Sequence, residues 1–334
     1  MKDTMTINTG TKRDQVSRRI WKFELSHLRF VLVLLVLSVA TTVQAQDKAT
    51  LAWKFTKGDV FAVQFSQAQN IQTRIDVRDR TLDSELVLGV GWEVTGVADN
   101  GNATIEQSID RIRIRTGAPG AVMKKVVDID TASDEKLRGV SRDVMKQVKT
   151  LIGLKFIVEM TPAGKVVTVK PGSNVAGVVG KLPATSALSR IFTAKSMAKL
   201  VSDSTFMLPA NSVAKGDSWE DKSTIAMVAN DGRAFSFDRN VKSTLQSVDE
   251  SKASIDVEIT LTQTPFAGTD AGDELTSPLE LTGFTGSGQM EFDRSTGTLN
   301  SSAITSETKT LVVYREDKVK TTTNTTNQMK ITRK

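Results

Sequence analysis

The chain has no cysteine, and its 334 residues include one histidine, His27. Disulfides and thiol nucleophiles are therefore ruled out. The histidine falls in an N-terminal leader, so the remainder of the chain lacks imidazole as well. A histidine-based catalytic triad is then impossible. So are the common zinc sites, which need imidazole or thiolate ligands. There is also no phosphate loop and no dinucleotide fingerprint. The glycines of "GVGWEVTG" (89–96) lie in a strand pattern with no helix after them. A chain without disulfides must be held by its core, and the roughly 290 residues after the leader suffice for one large domain or two small ones.

What the N-terminus does have is the order of a secretory signal. Basic residues come first, from Lys12 to Arg29. The apolar run "FVLVLLVLSVA" (30–40) is next, then "TTVQA" with Val43 and Ala45 at the −3 and −1 positions. The run is short for a permanent membrane helix. An uncleaved anchor stays open as the alternative, because the basic region is long. The expected location is periplasmic or extracellular after cleavage near Ala45. The leader takes 7 of the 44 basic and 3 of the 38 acidic residues, leaving 37 and 35, a net of +2. A general nucleic-acid binder is not indicated.

Beyond the leader the dominant period is two. Phe61, Val63 and Phe65 share one face of "VFAVQFSQ". Ala253, Ile255, Val257, Ile259 and Leu261 share one face of "ASIDVEITLT". This is the pattern of antiparallel sheet with one face buried. Strands are also expected at 85–94, 155–160, 234–238 and 310–316. In "ATIEQSIDRIRIR" the apolar parity changes between Ile109 and Ile112, which predicts a bulge near Asp110. Two stretches have helical spacing. One is 133–151, with Leu137, Val140, Val144, Val148 and Leu151 on its apolar side and Thr131 or Ser133 as N-cap. The other is 186–201, with Leu188, Ile191, Phe192 and Leu200. The Gly- and Pro-rich stretch 170–186 between them reads as a linker. The expected organisation is a leader at 1–45 and a first β-rich unit at 46–170. A linker with the second helix comes next at 171–204, then a second β-rich unit at 205–334.

The two units share more than composition. "KGDVF" (57–61) is followed by "VADNGNATI" and "VEMTPAGKV". "KGDSW" (215–219) is followed by "VDESKASI" and "MEFDRSTGTL", in the same order. This reads as an internal duplication of a strand–turn–strand unit. Gly58 and Gly216 suit a positive φ that turns the chain into a strand. Asp59 and Asp217 suit the acceptor role in that turn, and Phe61 or Trp219 then enters the core. Lys57 and Lys215 complete this structural turn motif. A paired ligand loop with two Lys-Asp tips is the rival reading. "LAWKFTKGDVFAV", "VTGVADNGNATIE", "FIVEMTPAGKV" and "VAKGDSW" together resemble an uncharacterised family of secreted bacterial β-rich proteins. That resemblance implies an exported β-rich architecture and no assigned activity, so it supplies no catalytic residues.

Carboxylates are the only general acids or bases left. Candidates are Asp76, Asp79, Asp83, Glu106, Asp110, Asp256 and Glu258. No facing pair of the kind a glycosidase needs is visible, and alternating acids on a strand read as a solvated face. "DIDTASDE" (128–135) and "TDAGDE" (269–274) cluster oxygens but do not match the calcium-binding helix–loop–helix pattern. The first reads better as an acidic helix start. Lys136, Arg138, Arg142, Lys146 and Lys149 form a basic helix face, open to anionic lipid or glycan but read first as solvated. Trp53, Trp92 and Trp219 read as core. The tail 318–334 reads as a polar edge strand or frayed end.

The expected fold is α+β and mostly β. Two similar antiparallel units form a curved sheet, sandwich or partial barrel, with two amphipathic helices. No catalytic residue, cofactor or metal is expected. The functional expectation is an exported, non-enzymatic envelope protein that binds a hydrophobic small molecule or an envelope protein partner. Met197 and Met207 would form an adaptable wall. A scaffold without a pocket and a carboxylate-only glycan hydrolase are the alternatives.

Overall fold

The computed structural model describes residues 48–75, 77–118, 125–179, 206–228, 234–264, 280–314 and 317–334. The leader, the expected second helix at 186–201 with Met197, Asp76 and the 269–274 cluster lie outside them. Residues 48–334 form one compact unit.

The strands are β1 (Val60–Ile75), β2 (Arg78–Val97), β3 (Ala103–Gly117), β4 (Lys125–Asp130), β5 (Lys155–Met160) and β6 (Val166–Pro171). They continue with β7 (Ser218–Val228), β8 (Ala234–Val248), β9 (Lys252–Gln263), β10 (Glu280–Asp293), β11 (Thr298–Tyr314) and β12 (Asp317–Arg333). All join one 12-stranded sheet in the order β6-β5-β3-β2-β1-β12-β11-β10-β9-β8-β7, with β4 also on β3. Every pairing of these strands is antiparallel. The sheet does not close, since β6 and β7 stand at opposite ends of the order.

That order reads as one pattern used twice. Strands β1-β2-β3-β5-β6 and β7-β8-β9-β10-β11 run across the sheet in the same sequence, and β12 joins β1 to β11. Between β3 and β5 the first set carries β4 and helix α1 (Gly139–Lys149). In the second set β9 neighbours β10, and residues 265–279 between them lie outside the described residues.

The core lies at one end of the sheet, on the face that carries alternate apolar residues. Phe61, Trp92, Ile105, Phe156, Leu245, Ile255 and Phe292 are almost fully buried there. Each such side chain contributes about 1.5–3 kcal/mol on leaving water. The chain segments that lead into β1 and β7 cover this core. Leu51, Trp53, Leu208 and Val213 are buried in it, and Ala49 bridges Val213. Trp53 stacks on Phe55 at 5.5 Å and meets Phe292 edge-on at 6.1 Å. Trp219 is half-buried and donates its indole N–H to the Met207 carbonyl at 2.7 Å.

The bulge falls where the parity change places it. Gly89 pairs with Arg111 and Val90 with Ile109, so Asp110 is skipped. Other expectations are corrected. The helix starts at Gly139 rather than near 133. Its N-cap is Arg138, in extended backbone with no side-chain cap, and its first turn holds no acid. Thr131 and Ser133 are engaged elsewhere: the Thr131 hydroxyl accepts from Ile112 N–H at 2.9 Å, and Ser133 accepts from Glu135 N–H at 3.2 Å. Of the acidic residues before the helix, Asp128 and Asp130 belong to β4, where Asp130 pairs with Arg113 across the ladder, and Asp134 and Glu135 lie in the segment between β4 and the helix. On the helix, Met145 and Val148 are buried while Val140 is 59% exposed. The tail is an interior strand, flanked by β1 and β11. Its threonines and asparagines are tolerated there because backbone pairing on both sides, rather than side-chain burial, holds it. In the 170–186 stretch, a single turn of helix, α2 (Val175–Val179), forms.

Candidate functional site

The Lys-Gly-Asp turns are built alike. Gly58 has φ 94° and Gly216 has φ 90°. Gly58 N–H donates to Val94 O at 2.8 Å, and Gly216 N–H to Leu245 O at 2.7 Å. Val94 and Leu245 return N–H bonds to the Asp59 and Asp217 carbonyls. Asp59 Oδ2 accepts from Thr56 N–H at 2.9 Å, and Asp217 Oδ2 from Ala214 N–H at 2.8 Å. Both aspartates thus satisfy a backbone donor inside their own turn, while Lys57 and Lys215 are exposed beside them. They differ in one respect. Asp59 is also bridged by Arg333, whose guanidinium lies 5.8 Å from the Phe61 ring.

Among the described residues the carboxylate candidates do not converge. Asp83 accepts from Asn70 at 2.7 Å and Asp79 lies 3.9 Å from Arg74. Glu106 is paired with Lys155 on the neighbouring strand. Asp110 accepts from Ser108 at 2.7 Å, and Asp256 from Gln289 at 3.1 Å. Asp128 and Asp130 make no metal cage, since Asp130 binds Arg111 through two guanidinium nitrogens, at 3.0 Å for Nε. That Arg111 bond holds the Asp130 carboxyl below the usual carboxylate range, and burial opposes it. Among the described residues no group of three metal-ligating side chains is found. Arg142, Lys146 and Lys149 are exposed on α1, with Arg142 beside Asp143, while Lys136 and Arg138 precede the helix.

Among the described residues, the feature without a partner is the continuation of the apolar face beyond the core. Side chains on one face of β1 and β2 follow the register Phe65↔Leu88, Gln67↔Leu86, Gln69↔Ser84, Ile71↔Leu82, Thr73↔Arg80 and Ile75↔Arg78. Leu86 then pairs with Ile114 of β3. Leu88 is buried, but Leu86 is 37% and Leu82 40% exposed, and Val77 at the hairpin tip is 85% exposed. Phe65, Ile71, Ile75 and Ile114 are half-buried. The result is an open lane running from the filled core to the β1–β2 tip, apolar at Phe65, Leu86, Ile114, Ile71 and Leu82 and interrupted by Gln67, Gln69 and Ser84. Towards the middle of the sheet it is flanked by the β12 hydroxyls Thr321, Thr323 and Thr325, which register with Thr73, Ile71 and Gln69. Sequence periodicity marks Phe65 as inward-facing but misses Leu82 and Leu86. Their spacing is strand-like, and only the length of β1 and β2 reveals that they outrun the core.

The opposite face is polar and has its own depressions. One, of about 450 Å³, is lined by residues including Gln64, Ser66, Gln289 and Gln328. A second, of about 320 Å³, lies against Thr285, Thr305 and Thr326. Neither of these two depressions is an enclosed apolar cavity. Among the described residues no helix is long and apolar enough to cross a membrane.

Two solved structures align with the chain. Lipovitellin, in a structure titled for its lipid–protein interactions, aligns with TM-score 0.43 at 9% identity, over 83% of this chain and 25% of its own. The chain thus spans about a quarter of that protein's length. An outer membrane channel from Pseudomonas putida F1 aligns with TM-score 0.25 at 7% identity, over 87% of this chain and 100% of its own. No curated protein matches the chain. A family model described as "Family of unknown function (DUF6263)" matches residues 100–299, from the β2–β3 turn to the start of β11. These residues are more than half of the chain, which therefore belongs to this uncharacterised family.

Proposed function

We propose that this is an exported, non-enzymatic envelope protein that binds a hydrophobic small molecule along the open lane of β1, β2 and β3. The observation that carries the reading is the stepwise exposure on one sheet face: Leu88 buried, Leu86 at 37%, Leu82 at 40%. Soluble proteins rarely leave a contiguous apolar surface open unless it binds something. A sheet face that continues directly out of a packed core offers such a surface already ordered, so a ligand need not supply the ordering cost. The secretory leader supports export, and the absence of histidine and cysteine after it narrows the catalytic repertoire. The scattered carboxylates Asp79, Asp83, Glu106, Asp110 and Asp256, each held by its own neighbour, support a binding role over hydrolysis.

The test is mass spectrometry of the purified protein under native and then denaturing conditions. The reading expects an apolar small molecule that travels with the native protein and is released on denaturation. A clean protein mass in both, together with no melting shift on adding a single-chain amphiphile, would overturn it. A scaffold role then becomes the better account. The observation favouring that account is the β7 edge, which has no neighbouring strand on its outer side among the described residues.

A further inference from the structure

We infer that the ligand of the lane is an anionic amphiphile, with its hydrocarbon chain along Leu86, Ile114, Leu82 and Ile71 and its head group at Arg78 and Arg80. The inference rests on the lane being the binding site, and it names the class of molecule the lane takes.

Three observations lead to it. First, the lane is apolar at one end and cationic at the other. Arg80 pairs with Thr73 and Arg78 with Ile75, so both arginines share the face of Leu82 and Leu86. Both are exposed. Second, among the described residues of β1, β2 and β3, no acidic side chain shares that face. Of the described acids of the hairpin, Asp79 and Asp83 lie on the other side of the sheet, where Asp79 meets Arg74 at 3.9 Å and Asp83 accepts from Asn70 at 2.7 Å; Asp76 lies outside the described residues. The arginines therefore present a positive head-group site that these three strands do not neutralise. Guanidinium suits carboxylate or phosphate because its planar fork donates to two oxygens at once. Third, the length fits. Leu86 and Arg80 are six residues apart along one strand, about 20 Å at ~3.4 Å per residue. One leaflet of a bilayer holds about 15 Å of hydrocarbon. A lipid-length chain can lie on the apolar part while its head reaches the arginines. Thr73, Thr321 and Thr323 lie beside the lane near its arginine end.

The experiment is calorimetric titration of the full chain with three amphiphiles of equal chain length: dodecanoate, octaethylene glycol monododecyl ether and dodecyltrimethylammonium, each below its micelle concentration. The inference expects dodecanoate to bind about tenfold or more tightly than the neutral ether, and the ammonium to bind weakest. In the R78Q/R80Q variant the preference for the anion should vanish while the neutral ether still binds. Both positions are exposed, so circular dichroism should report an unchanged fold. In L82N/L86N all three should weaken together. Equal affinity for the three in the unaltered protein, or an anion preference that survives R78Q/R80Q, would overturn the head-group assignment and leave the apolar lane standing. No binding of any of the three would overturn the lane itself.

Discussion

Replacing Asp217 by alanine removes the acceptor for Ala214 N–H at 2.8 Å. The position is exposed, so the expected loss is that of a turn cap, about 1 kcal/mol. Asp59→Ala removes the matching bond to Thr56 at 2.9 Å and also the Arg333 bridge. The Asp59 side chain is only 9% exposed but Arg333 is 42% exposed. The bridge is thus partly screened, and about 0.5–1 kcal/mol is its expected share. Asp59→Ala should therefore cost about 2 kcal/mol, roughly twice Asp217→Ala. Urea denaturation at constant slope reads both. Arg333→Ala also loses the contact with the Phe61 ring, so a double-mutant cycle with Asp59→Ala isolates the bridge, with an expected coupling of about 0.5–1 kcal/mol. A loss for Asp217→Ala equal to or above that for Asp59→Ala would refute the reasoning. So would a cycle with no coupling, because Arg333 is what distinguishes the two turns among the described residues.

Other outcomes rest on the same geometry. The folded-state pKa of Asp130 lies below its unfolded value, chiefly through Arg111. Its contribution is present above the unfolded pKa of about 3.9 and is lost as pH falls through the folded value. Asp130→Asn should therefore be less stable than the unaltered protein at neutral pH and should lose less stability on acidification, as read by urea midpoints across the acid range. Gly164 has φ 84°, and a Cβ there would lie 2.7 Å from Phe206 O and 2.8 Å from Trp53 Nε1. Gly164→Ala should cost more than about 2 kcal/mol, while Gly58→Ala, with open space around it, should cost about 1 kcal/mol from backbone strain alone; urea midpoints separate the two. Leu82→Asp should leave the melting temperature nearly unchanged, since the side chain is 40% exposed, but should abolish amphiphile binding in calorimetric titration.

The alternation in 61–65 and 253–261 made the sheet readable from sequence, because a half-buried strand writes its burial directly into residue order. Asp110 was readable for the same reason: one extra residue flips the parity of the face. The repeated Lys-Gly-Asp was readable because turn chemistry is local. The helix start was not. Thr131 and Ser133 look like caps, yet Thr131 is drawn to Ile112 across the sheet, and no local rule sees that partner. The tail misled because interior position is a property of pairing, and β12 shows few apolar side chains to announce it. The lane was hidden differently. Leu82, Leu86 and Ile71 look like any core residues, and their exposure depends on β1 and β2 being 16 and 20 residues long while the core fills only one end. Arg78 and Arg80 gain meaning only once the register places them on the same face as those leucines.

The most direct test of the account is photo-crosslinking with a diazirine-bearing fatty acid, followed by peptide mapping. The account predicts label on the β1 and β2 peptides that carry Phe65, Ile71, Leu82 and Leu86, competed away by unlabelled dodecanoate. Label confined to the polar face of β10–β12, or no competed label at all, would contradict it.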